Sequence, residues 1–300
     1  MPSWIAAARP SQWIKGVIIF APMVLASKTA DPFAWEKVLL TFGAFCLLAS
    51  SAYIINDIHD READRLHPVK KQRPIASRRL GVGSAVSEAA ILGAMGLLLG
   101  WSAGWRVLVI LTGYLILQAL YTGLLRGRVL VDVIVLSIGF VLRAMAGAVC
   151  IPVEVSPWLF ICTFTLSLFM GFCKRGNEIK SLGREGDKTG HRRSLVEYSP
   201  ELLTHLITLS AAVAVVSFIM YSISLSTIAR FGTPNLIYTL PLVVYGVFRF
   251  AMLSMKGVYA GPVDIIWHDR PFQVTVALWS FLAWAVIRWN SSLQTWFWPK

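Results

Sequence analysis

Charge is scarce in this chain. Only 15% of its 300 residues are Asp, Glu, Lys or Arg, against about 25% in soluble domains. With 56% hydrophobic residues and a mean hydropathy of +0.63, that shortage excludes an ordinary soluble domain. Cysteine is sparse as well. Cys46, Cys150, Cys162 and Cys173 lie in or beside apolar runs without CxxC spacing, which removes zinc and a disulfide framework. They read as small buried hydrophobes. No stretch is long and polar enough to separate domains, so residues 1–300 are expected to form a single integral membrane domain. The first apolar run lacks a small-residue cleavage site and leads into further runs, so no cleavable signal peptide is expected.

What is present is apolar sequence in lengths near the ~20 residues that a spanning helix needs. Such segments lie near 12–27, 37–56, 84–104, 106–125, 129–150, 157–173, 203–224, 234–254 and 273–296. The expected fold is therefore all-α: a polytopic membrane protein of about nine transmembrane helices in one bundle. The first segment contains Pro10 and Pro22, so its limits are the least defined. The halves 37–125 and 157–254 have parallel layouts, a hint of an internal repeat.

Acidic residues number 16 against 28 basic ones, a net charge of +12. Their positions argue for topology rather than for nucleic acid. Arg61, Arg65, Lys70, Lys71, Arg73, Arg78 and Arg79 share the second-to-third connection, and Arg126 and Arg128 a later one on the same side. Lys174, Arg175, Lys180, Arg184, Lys188, Arg192 and Arg193 share the sixth-to-seventh. Opposite connections hold only Lys28, Lys37, Arg106 and Arg230. That is the positive-inside pattern. It places these loops on the cytoplasmic face of the cell (inner) membrane. Many of the 12 tryptophans, Trp4, Trp13, Trp101, Trp105, Trp158 and Trp296 among them, sit at segment ends, as in an interfacial aromatic belt.

Against so few acids, the run Asn56-Asp57-Ile58-His59-Asp60-Arg61-Glu62-Ala63-Asp64 stands out. It follows directly on the apolar Ser51-Ala52-Tyr53-Ile54-Ile55. At about 100° per residue, Asp57, Asp60 and Asp64 share a sector of roughly 60°, with Asn56 at its edge. Hard oxygen ligands on one face suit Mg²⁺ that also contacts substrate phosphates. The same cluster would also suit a solvated helix end. Behind it, Lys70-Lys71-Gln72-Arg73 lies between Pro68 and Pro74, which favours a shaped loop. Arg73 can fork onto a phosphate, although these cations would also serve topology alone.

A second polar cluster, Lys174-Arg175-Gly176-Asn177-Glu178, opens the other long connection. It reads either as a second anion patch or as an i,i+4 surface pair. Gly176, Gly183, Gly186 and Gly190 give that connection the mobility of a lid. Arg143 lies well inside an apolar span, where an ionisable side chain faces a pocket or a partner. Asp132 could be that partner, or Arg143 could touch a ligand. Lys15 either snorkels to the interface or reaches the pocket.

The motif Asn-Asp-x-x-Asp-x-x-x-Asp at the end of the second apolar segment resembles the UbiA superfamily of intramembrane prenyltransferases. The likeness extends to that superfamily's decaprenyl-phosphate 5-phosphoribosyltransferase branch. It is carried by Arg9-Pro10-Ser11-Gln12-Trp13-Ile14-Lys15, the stretch from Asp64 to Ala76, and Leu142-Arg143-Ala144-Met145-Ala146-Gly147. Ser167-Leu168-Phe169-Met170 with Lys174-Arg175, Arg193-Ser194-Leu195 with Tyr198, and Asp264-Ile265 with Asp269-Arg270 extend it. The resemblance implies transfer of a phosphoribosyl group from phosphoribosyl diphosphate to a polyprenyl phosphate in the bilayer. It implies Asp57, Asp60 and Asp64 as catalytic residues and Mg²⁺ held by Asn56, Asp60 and Asp64. Substrate would be bound by Lys15, Lys70, Arg73, Arg143, Lys174 and Arg175. The superfamily's aromatic prenyltransferases carry a second Asp-rich motif in the sixth-to-seventh loop, where this chain has Lys174, Arg175 and Glu178. An aromatic prenyltransferase is the alternative enzyme, and a transporter or lipid-binding protein the non-enzymatic one. A homo-oligomer is compatible with the sequence.

Overall fold

A computed structural model describes residues 2–26, 28–66, 70–125, 127–151, 153, 157–185, 198–259 and 262–288. The side chains of 159, 180–185 and 262 fall outside that description. So do several residues named above: Pro68, Arg126, Gly186, Lys188, Gly190, Arg192, Arg193, Ser194, Leu195 and Trp296.

The described residues form helices and no strand. Seven of those helices are long and apolar enough to cross a membrane, and the chain divides into two compact units. The first unit contains α1 (Ser3–Ala8), a 3₁₀ segment (Pro10–Phe20), α2 (Ala21–Leu25), α3 (Pro32–His59) and α4 (Arg61–Leu66). It continues with α5 (Val82–Ala103), α6 (Trp105–Leu120) and α7 (Val131–Val149). The second contains α8 (Pro157–Glu185), α9 (Pro200–Ile223), α10 (Leu225–Phe231), α11 (Leu240–Lys256), α12 (Pro262–His268) and α13 (Arg270–Arg288).

Helix ends follow local chemistry. Beginning at Pro32 rather than near residue 37, α3 has Asp31 accepting the Phe33 N–H at 3.0 Å and a proline in its first turn. That is a standard start signal. Likewise Ser199 accepts from Leu202 N–H ahead of Pro200 in α9. The expected span at 12–27 is instead the 3₁₀ segment followed by α2. Its 11 residues at about 2.0 Å each and the five of α2 at about 1.5 Å together reach roughly 30 Å. Close contact accompanies that shape: a Cβ on Gly147 of α7 would lie 2.0 Å from the Ile19 carbonyl oxygen. A second departure is α8, which continues through Gly176 and Gly183 to Glu185. Those two glycines therefore lie in helix, where Glu178 pairs with Arg175 at 2.5 Å and Lys174 at 3.8 Å.

Lipid is as apolar as leucine, so helix association in a membrane relies on close packing and hydrogen bonds. In the first unit α3 packs along α5. Ser51 Oγ donates to Ala89 O at 2.7 Å, and Gly96 faces Leu48. The core gathers Ile19, Met23, Val38, Phe45, Leu48, Leu111, Tyr114 and Ala146. In the second unit α8 meets α11 through Phe169 and Phe250, with ring centroids 5.6 Å apart, and through Ser254 Oγ donating to Cys173 O at 2.9 Å. α11 and α13 join through Phe250–Phe272 and Arg249–Asp269.

Candidate active site

The acidic run forms at the polar end of α3. The helix stops at His59, yet Asp60 N–H donates to Asn56 O at 2.9 Å and Asp64 N–H to Asp60 O at 2.8 Å. Backbone i→i+4 bonding thus bridges the break into α4, beyond which Asp64 meets the same arginine as Asp57. Asp57 and Asp64 are 3% and 4% exposed, and burying carboxylates costs several kcal/mol each unless they are paired. Two guanidinium groups do the pairing. Arg9 Nη2 lies 2.5 and 2.7 Å from the two oxygens of Asp57. Arg73 Nη1 lies 3.0 Å from Asp57 Oδ1 and 2.7 Å from Asp64 Oδ2.

Each arginine is itself held in place. Arg9 has left-handed backbone, φ 51° and ψ 61°, uncommon for a residue with a Cβ. Ser50 Oγ donates to Ala8 O at 2.7 Å and accepts from Trp13 Nε1 at 3.0 Å, which anchors the chain on both sides of Arg9. Arg73 follows the 3₁₀ turn Lys70–Gln72, its N–H donating to Lys70 O at 2.9 Å. Beyond Pro74 the loop closes through Leu80 N–H to Pro74 O at 3.0 Å, burying Ile75 and Ala76. This is a shaped loop rather than a free tail. Asn56 Oδ1 accepts a hydrogen bond from Thr122, within the π-helical turn Tyr121–Leu125 that prolongs α6.

Does this set suit a divalent metal? Among the described residues no group of three or more His, Cys, Asp or Glu side chains is already clustered as a metal site. The donor chemistry nevertheless fits. Asn56, Asp57, Asp60 and Asp64 offer only oxygen acceptors to a cation, as Mg²⁺ prefers, and Asp57 and Asp64 already converge on one cationic nitrogen. Asp60, half-buried at the helix break, is the remaining aspartate of the run.

Deeper along the apolar helices lies a second polar locus. Arg143 is 5% exposed. Its Nη1 donates to Gly139 O and its Nη2 to Tyr114 Oη, both at 2.9 Å. The guanidinium carbon lies 4.8 to 5.7 Å from the ring centroids of Tyr114, Phe140 and Phe45. No carboxylate among the described residues pairs with it. Asp132 is eleven residues earlier, about 16 Å along the helix, where its Oδ1 accepts the Val133 N–H at 2.8 Å. The Arg143–Asp132 pair is therefore not formed. Lys15 lies 5.8 Å from the Tyr53 ring centroid and Arg9 5.4 Å from it, and Lys15 is within electrostatic range of Arg143. Arg9, Lys15 and Arg143 thus leave a positive excess, which Asp57 offsets only in part.

In the second unit Arg175 is 1% exposed and donates to Glu178 Oε2 at 2.5 Å. Lys174 reaches the same carboxylate. Asn177 is 6% exposed, and neither its Oδ1 nor its Nδ2 has a hydrogen-bond partner among the described residues. Asp269 accepts both Arg249 Nε at 2.6 Å and Nη2 at 2.8 Å, and caps α13 through Phe272 N–H at 2.8 Å. Those Arg249 hydrogen bonds hold its carboxyl below the usual range. Asp269 is committed to structure, while Asp264, in the first turn of α12, accepts His268 Nδ1 at its carbonyl.

The sequence reading named Asp57, Asp64 and Arg73, which the fold brings together, and Lys15 and Arg143, which it places within electrostatic range of each other. It gave no site role to Arg9, Tyr53, Tyr114 or Thr122. For Arg9 the available signal was a cation immediately before a proline at the start of an apolar run.

Comparison with known proteins agrees with this architecture. The model of the UbiA prenyltransferase family matches residues 17–261. A protein of Mycolicibacterium smegmatis named decaprenyl-phosphate phosphoribosyltransferase is 32% identical over 291 residues, covering 93% of this chain and 89% of its own. One of the same name from Corynebacterium glutamicum is 33% identical over 283 residues, covering 92% and 84%. The structure of a UbiA homolog from Archaeoglobus fulgidus, bound to GPP and Mg²⁺, superposes with a TM-score of 0.71 at 17% identity. That match covers 95% of this chain and 99% of the other.

Proposed function

The chain belongs to the UbiA prenyltransferase family, and within it we propose that this integral membrane transferase moves a 5-phosphoribosyl group from phosphoribosyl diphosphate to a polyprenyl phosphate. The observation that carries this reading is Arg143. It is buried among apolar helices with a carbonyl, a phenol and two further rings but no carboxylate among the described residues, and Lys15 is in range. An uncompensated cation at membrane depth is costly, and an anion attached to a lipid tail would offset it. The two relatives named for decaprenyl phosphate support phosphate as that anion.

In this scheme a phosphate oxygen of the lipid attacks the anomeric carbon of the ribose. The bond from that carbon to the diphosphate oxygen breaks, and pyrophosphate leaves with the electron pair. The attacking oxygen is already anionic, so no strong general base is needed. Positioning and electrostatics supply most of the acceleration. Lys15 and Arg143 hold the acceptor phosphate; Lys70 and Arg73 hold the phosphates of the donor by charge-assisted hydrogen bonds. Arg9 orients Asp57. Asn56, Asp60 and Asp64, with Asp57 beside them, would hold Mg²⁺, which when bound neutralises charge on the departing pyrophosphate. The crowding of Lys and Arg into the loops at this end of the helices supports a cytoplasmic active site in the cell membrane.

The test incubates detergent-solubilised protein with Mg²⁺, radiolabelled phosphoribosyl diphosphate and a polyprenyl phosphate, and follows label into the organic phase. Chelator-sensitive transfer is the expected result. No transfer at several lipid lengths, with activity instead on a prenyl diphosphate and an aromatic acid, would replace this reading by the aromatic prenyltransferase.

A further inference from the structure

Thr122 touches the candidate metal site, and the proposed chemistry gives it no role. It lies in the π-helical turn Tyr121–Leu125 that prolongs α6, and such turns are frequent at functional sites. The turn brings its hydroxyl to Asn56, 66 positions earlier, near the polar end of α3. Both residues are half-buried, and both belong to the first unit. Thr122 Oγ1 has two neighbours in hydrogen-bonding range, the Asn56 amide and Gln118 O, the latter at 2.9 Å. It has one proton to give.

That proton decides which end of the amide is left over. Given to Asn56 Oδ1, it leaves Nδ2 as the other end and two oxygens facing each other at Gln118. Given to Gln118 O, which can only accept, it turns a lone pair of Oγ1 toward Asn56. A half-turn of the amide then lets Nδ2 donate to Thr122 and frees Oδ1. A cation is met by Oδ1 and never by Nδ2, which only donates. We infer that Thr122 is a positioning residue for the divalent cation. With metal bound, its hydroxyl donates to Gln118 O, accepts from Asn56 Nδ2 and so turns Asn56 Oδ1 to the metal. This inference rests on the metal assignment made above for Asn56. Groups that orient a metal ligand in this way are worth about ten- to a hundredfold in metal affinity.

The test compares the full-length, detergent-solubilised protein with Thr122→Val and Thr122→Ser, each in the natural background and in Asn56→Asp. Uptake of Mn²⁺, which suits the same oxygen ligands, is read from the paramagnetic resonance of the free ion, alone and with pyrophosphate present. In the Val variant Gln118 O keeps the Tyr121 N–H as a partner, so no backbone carbonyl is orphaned. Thr122→Val should bind Mn²⁺ about ten- to a hundredfold more weakly, and Thr122→Ser as wild type does. A carboxylate has oxygen at both ends and needs no turning, so Thr122→Val should cost little in the Asn56→Asp background. Equal Mn²⁺ binding by wild type and Thr122→Val would overturn the inference and leave the metal assignment standing. An equal loss in both backgrounds would overturn it as well, by making the hydroxyl a support of the fold alone. Mn²⁺ uptake that is absent from wild type, or that Asn56→Ala leaves unchanged, would overturn the metal assignment and this inference with it.

Discussion

Asp57 touches two arginines, and removing either leaves a buried charge short of partners. Arg9→Ala is expected to destabilise the first unit by about 2–3 kcal/mol, below the usual figure for breaking a buried pair because Arg73 remains. Chemical unfolding in detergent checks this, and Arg9→Ala with Asp57→Asn should cost less than the sum of the two single changes. Arg143→Met should raise the KM for polyprenyl phosphate at least tenfold with little change in the KM for phosphoribosyl diphosphate. Equal effects on both would remove Arg143 from the acceptor side. Much of this was legible one residue at a time. The acids and Arg73 share a short stretch with recognisable spacing, and Arg143 stands out as a charge in an apolar run. Their pairings were not legible. Arg9 and Asp57 are 48 positions apart, and nothing in either local pattern announces the contact. Asp132 looked like a partner for Arg143 because it shares a helix; the length of helix between them prevents the pairing.

At the scale of elements, boundaries were readable where caps and prolines are local signals, as at Asp31, Pro32, Ser199 and Pro200. The 3₁₀ segment was not, because its polar residues Ser11, Gln12 and Lys15 are too few to set a period by which three residues per turn could be told from 3.6. Its register against α7 depends on Gly147. A Cβ there would sit 2.0 Å from the backbone oxygen of Ile19, whereas one on Gly100 meets the movable end of Leu111 at 2.2 Å. Gly147→Ala should therefore destabilise by about 1–3 kcal/mol and Gly100→Ala by less, a ranking that thermal unfolding of the two variants settles. In the second unit the α11–α13 joint is sensitive to acid. The Asp269 carboxyl is held below its unfolded value by Arg249. Its contribution is complete above about pH 4, the unfolded range, and is lost as pH falls through the lower folded value. Asp269→Asn should flatten that part of the stability profile, read by melting wild type and variant between about pH 3 and 6.

For the molecule as a whole, the membrane class and the all-helical architecture followed from run length and the shortage of charge. The family followed from one motif and its place after the second run. The chemistry of the second unit was the least readable part, since Asn177, a buried amide without a partner among the described residues, looks in sequence like any other asparagine. One further consequence belongs to the 3₁₀ segment with α2. Spanning helices usually absorb a change of bilayer thickness by tilting, because they carry surplus length. Laid end to end, at roughly 30 Å, this pair of elements would only match a typical hydrocarbon core, and as a span it would have no surplus to tilt away. In thicker bilayers the lipid must thin around it or Lys15 must shift in depth. Turnover of the reconstituted enzyme should then depend on the acyl-chain length of the host lipid, making membrane thickness itself a control on the reaction.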